Sequence, residues 1–179
     1  MKSKLPLLGF SAYSGTGKTT LLRKLIPLLK AHGLRIAVIK HAHHDFDLDM
    51  PGKDSYELRK AGADETIICT MTRMARIVEF ERPEQEPDLQ QIIDSLDTRR
   101  LDLILVEGYK DVAFPKIELH REAMGKPFLF VRDESVIAVA SDVKPNVEIN
   151  LPYLDINNIE TIAEFIYQDF YQKVPANNA

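Results

Sequence analysis

The chain has 179 residues, of which 45% are hydrophobic and 28% charged, and this balance indicates a globular, soluble protein of ordinary domain size. The net charge of −4 argues against a dominant nucleic-acid-binding surface. A single cysteine, Cys69, excludes an internal disulfide and gives no sign of an oxidising compartment.

Compartment and domain organisation follow from the same features. The N-terminal apolar run at residues 5–10 is too short for a signal peptide, and no apolar run of membrane-spanning length occurs. We therefore predict a cytoplasmic protein with no membrane association. We expect one domain over residues 1–172 and a frayed tail at 173–179. Cys69 is predicted to be a small buried hydrophobic side chain.

The first predicted strand, at residues 5–10, leads directly into a glycine-bearing loop. The segment from Ala12 to Thr20 reads AYSGTGKTT, and a helical pattern follows it. A strand, a loop with two glycines, the triplet Gly-Lys-Thr and a helix are together typical of a phosphate-binding P-loop. The nucleotide-binding residues predicted from this motif are Ser14, Gly15, Thr16, Gly17, Lys18, Thr19 and Thr20.

Each residue type in this loop suits a phosphate ligand. Gly15 and Gly17 permit backbone angles that a Cβ would block, so the loop N–H groups can converge on a phosphate at the positive end of the helix. Lys18 would reach the β- and γ-phosphate oxygens, and the Thr19 hydroxyl would hold Mg²⁺. The first motif position is normally glycine. Ala12 is the least damaging replacement there, unless the position needs a positive φ.

The remaining elements alternate between strand and helix over the first 107 residues, which favours a largely parallel sheet covered by helices. Helices are predicted at 19–31, 54–60, 88–96 and from 157 or 158 to 170, and strands at 35–40, 65–70, 75–80, 101–106, 117–119, 128–131 and 136–140. We therefore predict an α/β protein with the three-layer P-loop NTPase fold. The strands at 65–70 and 75–80 are the expected small antiparallel or protruding region.

A polar loop at residues 41–54 follows the second predicted strand. It contains three histidines and several aspartates, and it lies at the carboxyl end of a strand, where ligands bind in open α/β sheets. The loop has three possible interpretations: a solvated loop, a nucleotide-responsive loop in which an aspartate assists Mg²⁺ or water, and a Zn²⁺ or Ni²⁺ site built on His43 and His44 with a carboxylate.

Charged residues also occur near other predicted strand ends. Glu107 follows four apolar residues at the carboxyl end of its strand, on the side where the P-loop emerges, so we predict that Glu107 and Thr19 hold Mg²⁺ directly or through water. Asp102 lies at the other end of the same strand, roughly 16 Å away, and is not chosen. Four lysines are candidates for a second anion, although each alone is more often a surface residue: Lys40, Lys53, Lys110 and Lys116.

With these motifs in view, the chain resembles the family of molybdopterin-guanine dinucleotide biosynthesis protein B (MobB), a P-loop GTP-binding family. The resemblance covers most of the chain and rests on segments 14–21 (SGTGKTTL), 40–55 (KHAHHDFDLDMPGKDS), 106–110 (VEGYK) and 114–118 (FPKIE). The first of these is shared by many P-loop proteins. The second is far more particular and carries the family assignment.

The resemblance implies GTP as the ligand, Mg²⁺ as the cofactor, weak intrinsic GTPase activity and a homodimer. It also implies an adapter role beside molybdopterin guanylyltransferase and other molybdenum-cofactor proteins. Guanine over adenine comes from the resemblance alone, since the chain has no Asn-Lys-x-Asp element. Residues 139–143 lie at a strand end suitable for base contacts.

Two other functions fit the residues. A P-loop small-molecule kinase would hold its acceptor in the loop at 41–53, with Asp45 or Asp47 as the candidate catalytic base. A nickel- or metal-insertion GTPase would bind its cargo at His43 and His44. Slow hydrolysis is expected in the leading case because the motifs supply a phosphate cradle and Mg²⁺ ligands but no obvious arginine finger.

Overall fold

A computed structural model describes residues 2–42, 47–80, 87–146 and 150–174, and in it strands and α-helices alternate regularly only from residue 7 to residue 69. The strands are β1 (Leu7–Ser11), β2 (Ile36–Lys40), β3 (Glu65–Cys69), β4 (Met74–Val78), β5 (Leu103–Glu107), β6 (Lys116–His120), β7 (Val136–Ser141) and β8 (Tyr153–Asp155). The α-helices are α1 (Lys18–Ala31), α2 (Asp54–Lys60), α3 (Leu89–Asp94) and α4 (Ile159–Glu164). A π-helical stretch, Phe165–Phe170, continues α4.

The chain divides into two compact units. The first comprises Met1–His41 and Leu89–Ala179, and the second comprises Ala42–Asp88. These units are groups of residues in close contact and are not separate domains by that fact, so the single domain at 1–172 stays a prediction.

The first unit is built on a six-stranded sheet with the order β2-β5-β1-β6-β7-β8. Every neighbouring pair in it is parallel. Parallel sheets are covered on both faces, which explains why β1 and most of β5 are apolar runs rather than alternating patterns. The predicted α/β class and the mostly parallel sheet are confirmed.

Helices cover each face of this sheet with a separate apolar core. Leu8 and Phe10 of β1 point into a core with α1 and α4, whereas Leu7 points into a core with α3. Gly9 also points to the second face, where an added Cβ would lie 2.5 Å from the Phe114 ring and 3.0 Å from the Lys116 side chain. Glycine is therefore required in the middle of β1 by close packing.

The second unit contains α2 and the antiparallel pair β3–β4, a hairpin closed by a hydrogen bond from Thr70 N to Arg73 O of 2.8 Å. Alternate residues of both strands are exposed. Arg59 of α2 is buried, and it donates to Asp47 and to Glu79 at 2.5 and 2.7 Å. The predicted antiparallel region is confirmed.

Three sequence-based expectations are wrong in detail. Residues 128–131 form bends and turns, not a strand, because Glu118 accepts the N–H groups of Leu129 and Phe130 at 2.6 and 2.8 Å. Cys69 is exposed, since it lies on the open face of β3. Lys116 is not a surface residue: it is 1% exposed and bonds Asp133 and Ser135.

Candidate active site: a P-loop facing Glu107

The loop after β1 has the local geometry that its sequence predicts. Gly15 and Gly17 have φ values of 85° and 100°, which favour glycine. Thr16 tightens the loop by donating its N–H and its hydroxyl to Tyr13 O at 3.3 and 2.9 Å. In the described part of the chain, Tyr109 alone among non-glycine residues has a positive φ. Ala12 therefore fits without that strain, and it packs against the core around α1.

The start of α1 is left without a side-chain cap. Gly17 occupies the N-cap position, and the first turn carries no acidic residue. The backbone N–H groups and the positive end of the helix dipole therefore face the loop, which is the arrangement that binds phosphate. Ser14 and Thr20 are exposed on either side of this helix start.

Lys18 folds back over the loop. Its Nζ donates to Ala12 O at 2.9 Å and to Tyr13 O at 3.2 Å. Partial burial lowers the pKa of Lys18, while Glu107 raises it and Lys40 lowers it further. The ammonium is thus held at the mouth of the loop by carbonyl oxygens, within the electrostatic influence of one carboxylate and a second lysine.

Glu107 lies opposite Thr19 at the carboxyl edge of the sheet. The Thr19 hydroxyl is 3.3 Å from Glu107 Oε1 and 3.4 Å from Oε2. A hydroxyl and a carboxylate are the hard oxygen donors that Mg²⁺ takes together with water, so these two residues fit that ion. Asp102 lies at the opposite end of β5, where Arg35 binds it at 2.7 Å.

The turn after Glu107 is locked to the end of β2. Gly108 has a φ of 110°, and a Cβ there would lie 2.6 Å from the Cβ of His41. His41 donates its N–H to Glu107 O at 2.8 Å, and its ring stacks on Tyr109 with centroids 4.7 Å apart. The sequence interpretation missed this pairing, although its signal was present: His41 and Gly108 each follow the last residue of a strand.

Further polar residues lie at the same edge, beyond β6 and β7. Asp142 accepts the Glu122 N–H at 3.0 Å, and Arg121 lies 3.6 Å from its other carboxylate oxygen. Met124 reaches the loop, since its Cε would be 3.3 Å from a Cβ added to Gly15. The segment after β6 therefore borders the P-loop, which the sequence interpretation did not find.

The polar loop at 41–54 is only partly described. His43, His44 and Asp45 lie outside the described residues. Asp47 is held by Arg59, whose hydrogen bond lowers the pKa of that carboxyl, so the carboxylate is a weakened base. Its catalytic role stays a prediction. Within the described ranges, no group of three or more His, Cys, Asp or Glu residues could hold a metal ion.

Comparison with known proteins decides the family. The family model for molybdopterin guanine dinucleotide synthesis protein B (MobB) matches residues 7–142. The chain belongs to the MobB family. It is 54% identical over 168 residues to the molybdopterin-guanine dinucleotide biosynthesis adapter protein of Escherichia coli (strain K12), which covers 93% of this chain and 94% of that protein.

Two further MobB-family comparisons agree. The adapter protein of Haemophilus influenzae is 45% identical over 166 residues, covering 93% of this chain and 90% of that protein. A solved structure of molybdopterin-guanine biosynthesis protein B superposes with a TM-score of 0.69 at 26% identity, covering 90% of this chain and 97% of that chain.

The family match spans the features described above. The P-loop, Glu107 and the polar edge as far as Asp142 all fall within the matched residues. Membership does not favour the kinase or the metal-insertion alternative. In the described part of the chain, no helix is long and apolar enough to cross a membrane.

Proposed function

We propose that this MobB-family protein binds GTP with Mg²⁺, hydrolyses it slowly, and serves as an adapter in molybdopterin guanine dinucleotide biosynthesis. The observation that carries the proposal is the placement of the Thr19 hydroxyl 3.3 Å from the Glu107 carboxylate, beside a glycine-bearing loop. The names of its relatives support the pathway, since they are adapter proteins of that biosynthesis.

Each residue of the site has a defined task in this function. The loop N–H groups and the Lys18 ammonium bind phosphate oxygens, and Thr19 and Glu107 hold Mg²⁺. Mg²⁺, when bound, supplies positive charge to the phosphates. The cations beside Glu107 in the described residues are Lys18 and Lys40, both lysines. Since none of the described residues places a planar, bidentate arginine beside Glu107, we expect hydrolysis by the protein alone to be slow.

We also propose a homodimer that forms through the hairpin of the second unit. Of the ten large hydrophobic side chains that are exposed among the described residues, eight belong to residues 42–88. Ile67 and Met74, on the open face of β3–β4, are 56% and 70% exposed. Each strand also has one outer edge unpaired within the described sheet. A second copy related by a two-fold axis presents the same apolar face and can pair like edges antiparallel.

Calorimetric titration with GTP, ATP and GDP, each with and without Mg²⁺, tests the nucleotide proposal. We expect GTP to bind more tightly than ATP, and Mg²⁺ to strengthen binding through Thr19 and Glu107. Thr19→Ala and Glu107→Gln should remove most of the Mg²⁺-dependent part while leaving binding in EDTA. Equal affinity with and without Mg²⁺ would contradict the metal assignment, and turnover of several GTP per second by the protein alone would contradict slow hydrolysis.

The adapter role needs a separate assay with the partner enzyme. Purified molybdopterin guanylyltransferase, molybdopterin and Mg-GTP are incubated with and without this protein, and the guanine dinucleotide formed is measured. We expect the protein to raise the yield or bind the transferase without transferring the nucleotide itself. Phosphorylated molybdopterin as the product would instead indicate a kinase.

A further inference from the structure

Glu107 is a carboxylate that faces two lysines. Its Oε2 lies 3.7 Å from the Nζ of Lys40. It also acts on Lys18. Burial lowers the pKa of Lys18 most, the Glu107 carboxylate raises it, and Lys40 lowers it. Lys18 is already bonded to two loop carbonyl groups. Lys40 has Glu107 as its ion-pair partner, so it is the cation whose position depends on the charge of that carboxylate.

The parallel register places Lys40 within reach of both Glu107 and the phosphate loop. Lys40 pairs with Glu107 across β2 and β5, and Glu107 pairs with Phe10 across β5 and β1. Neighbouring strands are about 4.8 Å apart, so Lys40 lies about 10 Å from the strand that leads into the P-loop.

Lys40 and Glu107 differ in how exposed and how firmly held their side chains are. The Lys40 side chain is 55% exposed, whereas that of Glu107 is 13% exposed. Glu107 is additionally fixed by the Thr19 hydroxyl and by the His41 N–H on its backbone carbonyl. A long, half-exposed lysine can change its partner at little cost, whereas the carboxylate cannot leave the sheet edge.

We propose that Lys40 is a counter-ion that exchanges between Glu107 and the terminal phosphate of a bound nucleoside triphosphate. The inference rests on the proposed function, because it requires Mg²⁺ and nucleotide at this site. Lys40 neutralises Glu107 in the nucleotide-free protein. When the charge of Glu107 is taken up by a divalent ion, Lys40 loses its attraction to that carboxylate, and the phosphate oxygens become its acceptors.

This exchange has two opposite consequences for binding. Lys40 competes with a divalent ion for Glu107, so it weakens metal binding in the absence of nucleotide. It contributes to the affinity of a triphosphate with Mg²⁺ but not to that of a diphosphate, which lacks the terminal phosphate. A lysine that only attracted anions to the surface would favour both nucleotides.

The test compares Lys40→Gln with Lys40→Arg and with the control Lys30→Gln. Lys30 is an exposed lysine in the last turn of α1, the helix that begins at Lys18, and it lies about 18 Å from Lys18 along the helix axis. Its replacement therefore makes the same charge change away from the site. Mn²⁺ binding to the nucleotide-free full chain is measured by electron paramagnetic resonance. Affinities for GDP and a non-hydrolysable GTP analogue, both with Mg²⁺, are measured by calorimetry.

We expect Lys40→Gln to bind Mn²⁺ about fivefold more tightly, because the metal ion no longer has to displace Lys40 from Glu107. A change of about fivefold corresponds to the free energy of one exposed ion pair. The triphosphate analogue should bind about tenfold more weakly and GDP within twofold of the parent. Lys40→Arg and Lys30→Gln should match the parent in all three measurements, because both keep a cation at position 40.

Other outcomes overturn the exchange. Equal weakening of GDP and the analogue, unchanged or weaker Mn²⁺ binding in Lys40→Gln, or an arginine variant that behaves like the glutamine variant would each contradict it. A parent protein that binds both nucleotides while Lys40→Gln changes nothing contradicts this inference alone. A parent that binds neither nucleotide contradicts the proposed function, and the exchange with it.

Discussion

Strands β5 and β4 are both rich in apolar residues, yet the protein uses them differently. Four residues of β5 are buried in the parallel sheet, and only Glu107 at its end is partly exposed. In β4 every second residue is exposed, including Met74 and Val78. The parallel sheet has both faces covered, whereas a hairpin of two strands is only marginally stable by itself. The first unit thus buries its apolar strand and holds the candidate site at the strand end, whereas the second unit exposes apolar side chains on the face through which we propose that the dimer forms.

The largest expected effect comes from replacing Lys18, which tests whether nucleotide binding and self-association belong to different units. Lys18→Ala should lower GTP affinity about a hundredfold, because it deletes charge-assisted hydrogen bonds to phosphate. Self-association, measured by analytical ultracentrifugation, should be unchanged. The control Lys30→Ala should bind GTP like the parent. Loss of the dimer in Lys18→Ala would contradict the assignment of nucleotide binding and association to different units.

The complementary change places charge on the open hairpin face. The double variant Ile67→Glu and Met74→Glu should weaken the dimer at least about tenfold, since two carboxylates would have to be buried in an apolar interface. Sedimentation should show a monomer at micromolar concentration, and calorimetry should show unchanged GTP affinity.

The matched control for the hairpin is Val131→Glu. Val131 is 67% exposed and lies in the first unit, so it offers the same kind of surface side chain outside the hairpin. We expect it to leave the dimer intact. A parent protein that is monomeric at the same concentration would contradict the homodimer, whatever the variants do.

Within the first unit, alanine variants of Gly108 and Gly33 distinguish the cost of a close contact from the cost of backbone strain. Both have positive φ, so alanine costs about 1 kcal/mol of strain at either position. At Gly108 the new Cβ would also lie 2.6 Å from His41, whereas nothing lies within 4 Å at Gly33. Gly108→Ala should therefore lower the free energy of unfolding by about 2 kcal/mol more, and weaken Mg²⁺-dependent binding. Equal effects in urea unfolding would show that the contact is unimportant.

The smallest expected effect concerns the buried carboxyl of Glu118. Burial raises its pKa above 4.5, so the folded state holds this proton more tightly than the unfolded state does. The stability it contributes is therefore complete below pH 4.5 and is lost as the pH rises through the folded-state pKa. Glu118→Gln keeps one acceptor for two N–H groups, so it should cost about 1 kcal/mol. The difference in the free energy of unfolding between the parent and Glu118→Gln should narrow as the pH rises.

Urea unfolding of both proteins between acid and neutral pH checks the sign. A deficit that widens with pH would mean that the folded state lowers the pKa of Glu118. A constant deficit would mean that the carboxyl does not titrate differently on folding.

Local patterns predicted the P-loop motif and the parallel sheet because the residues that determine each are close together in the chain. Two glycines, a lysine and a threonine after an apolar run are sufficient for the loop, and unbroken apolar strands indicate a sheet covered on both faces. The strand prediction at 128–131 was wrong because Glu118, ten or more residues earlier, captures the backbone N–H groups of that segment. The three-residue strand β8 was missed because so short a run carries no periodic signal.

A P-loop motif, a mostly parallel sheet and a carboxylate at a strand end could all be predicted from the sequence, since each depends on residues that are neighbours in the chain. Other features are visible only in the folded chain: Thr19, Lys40 and Glu107 meet, Gly108 packs on His41, and Lys116 is buried. These facts depend on which strands lie side by side and in what register. That register is set by the packing of the whole sheet, in which β5 lies between β1 and β2 although it comes much later in the chain.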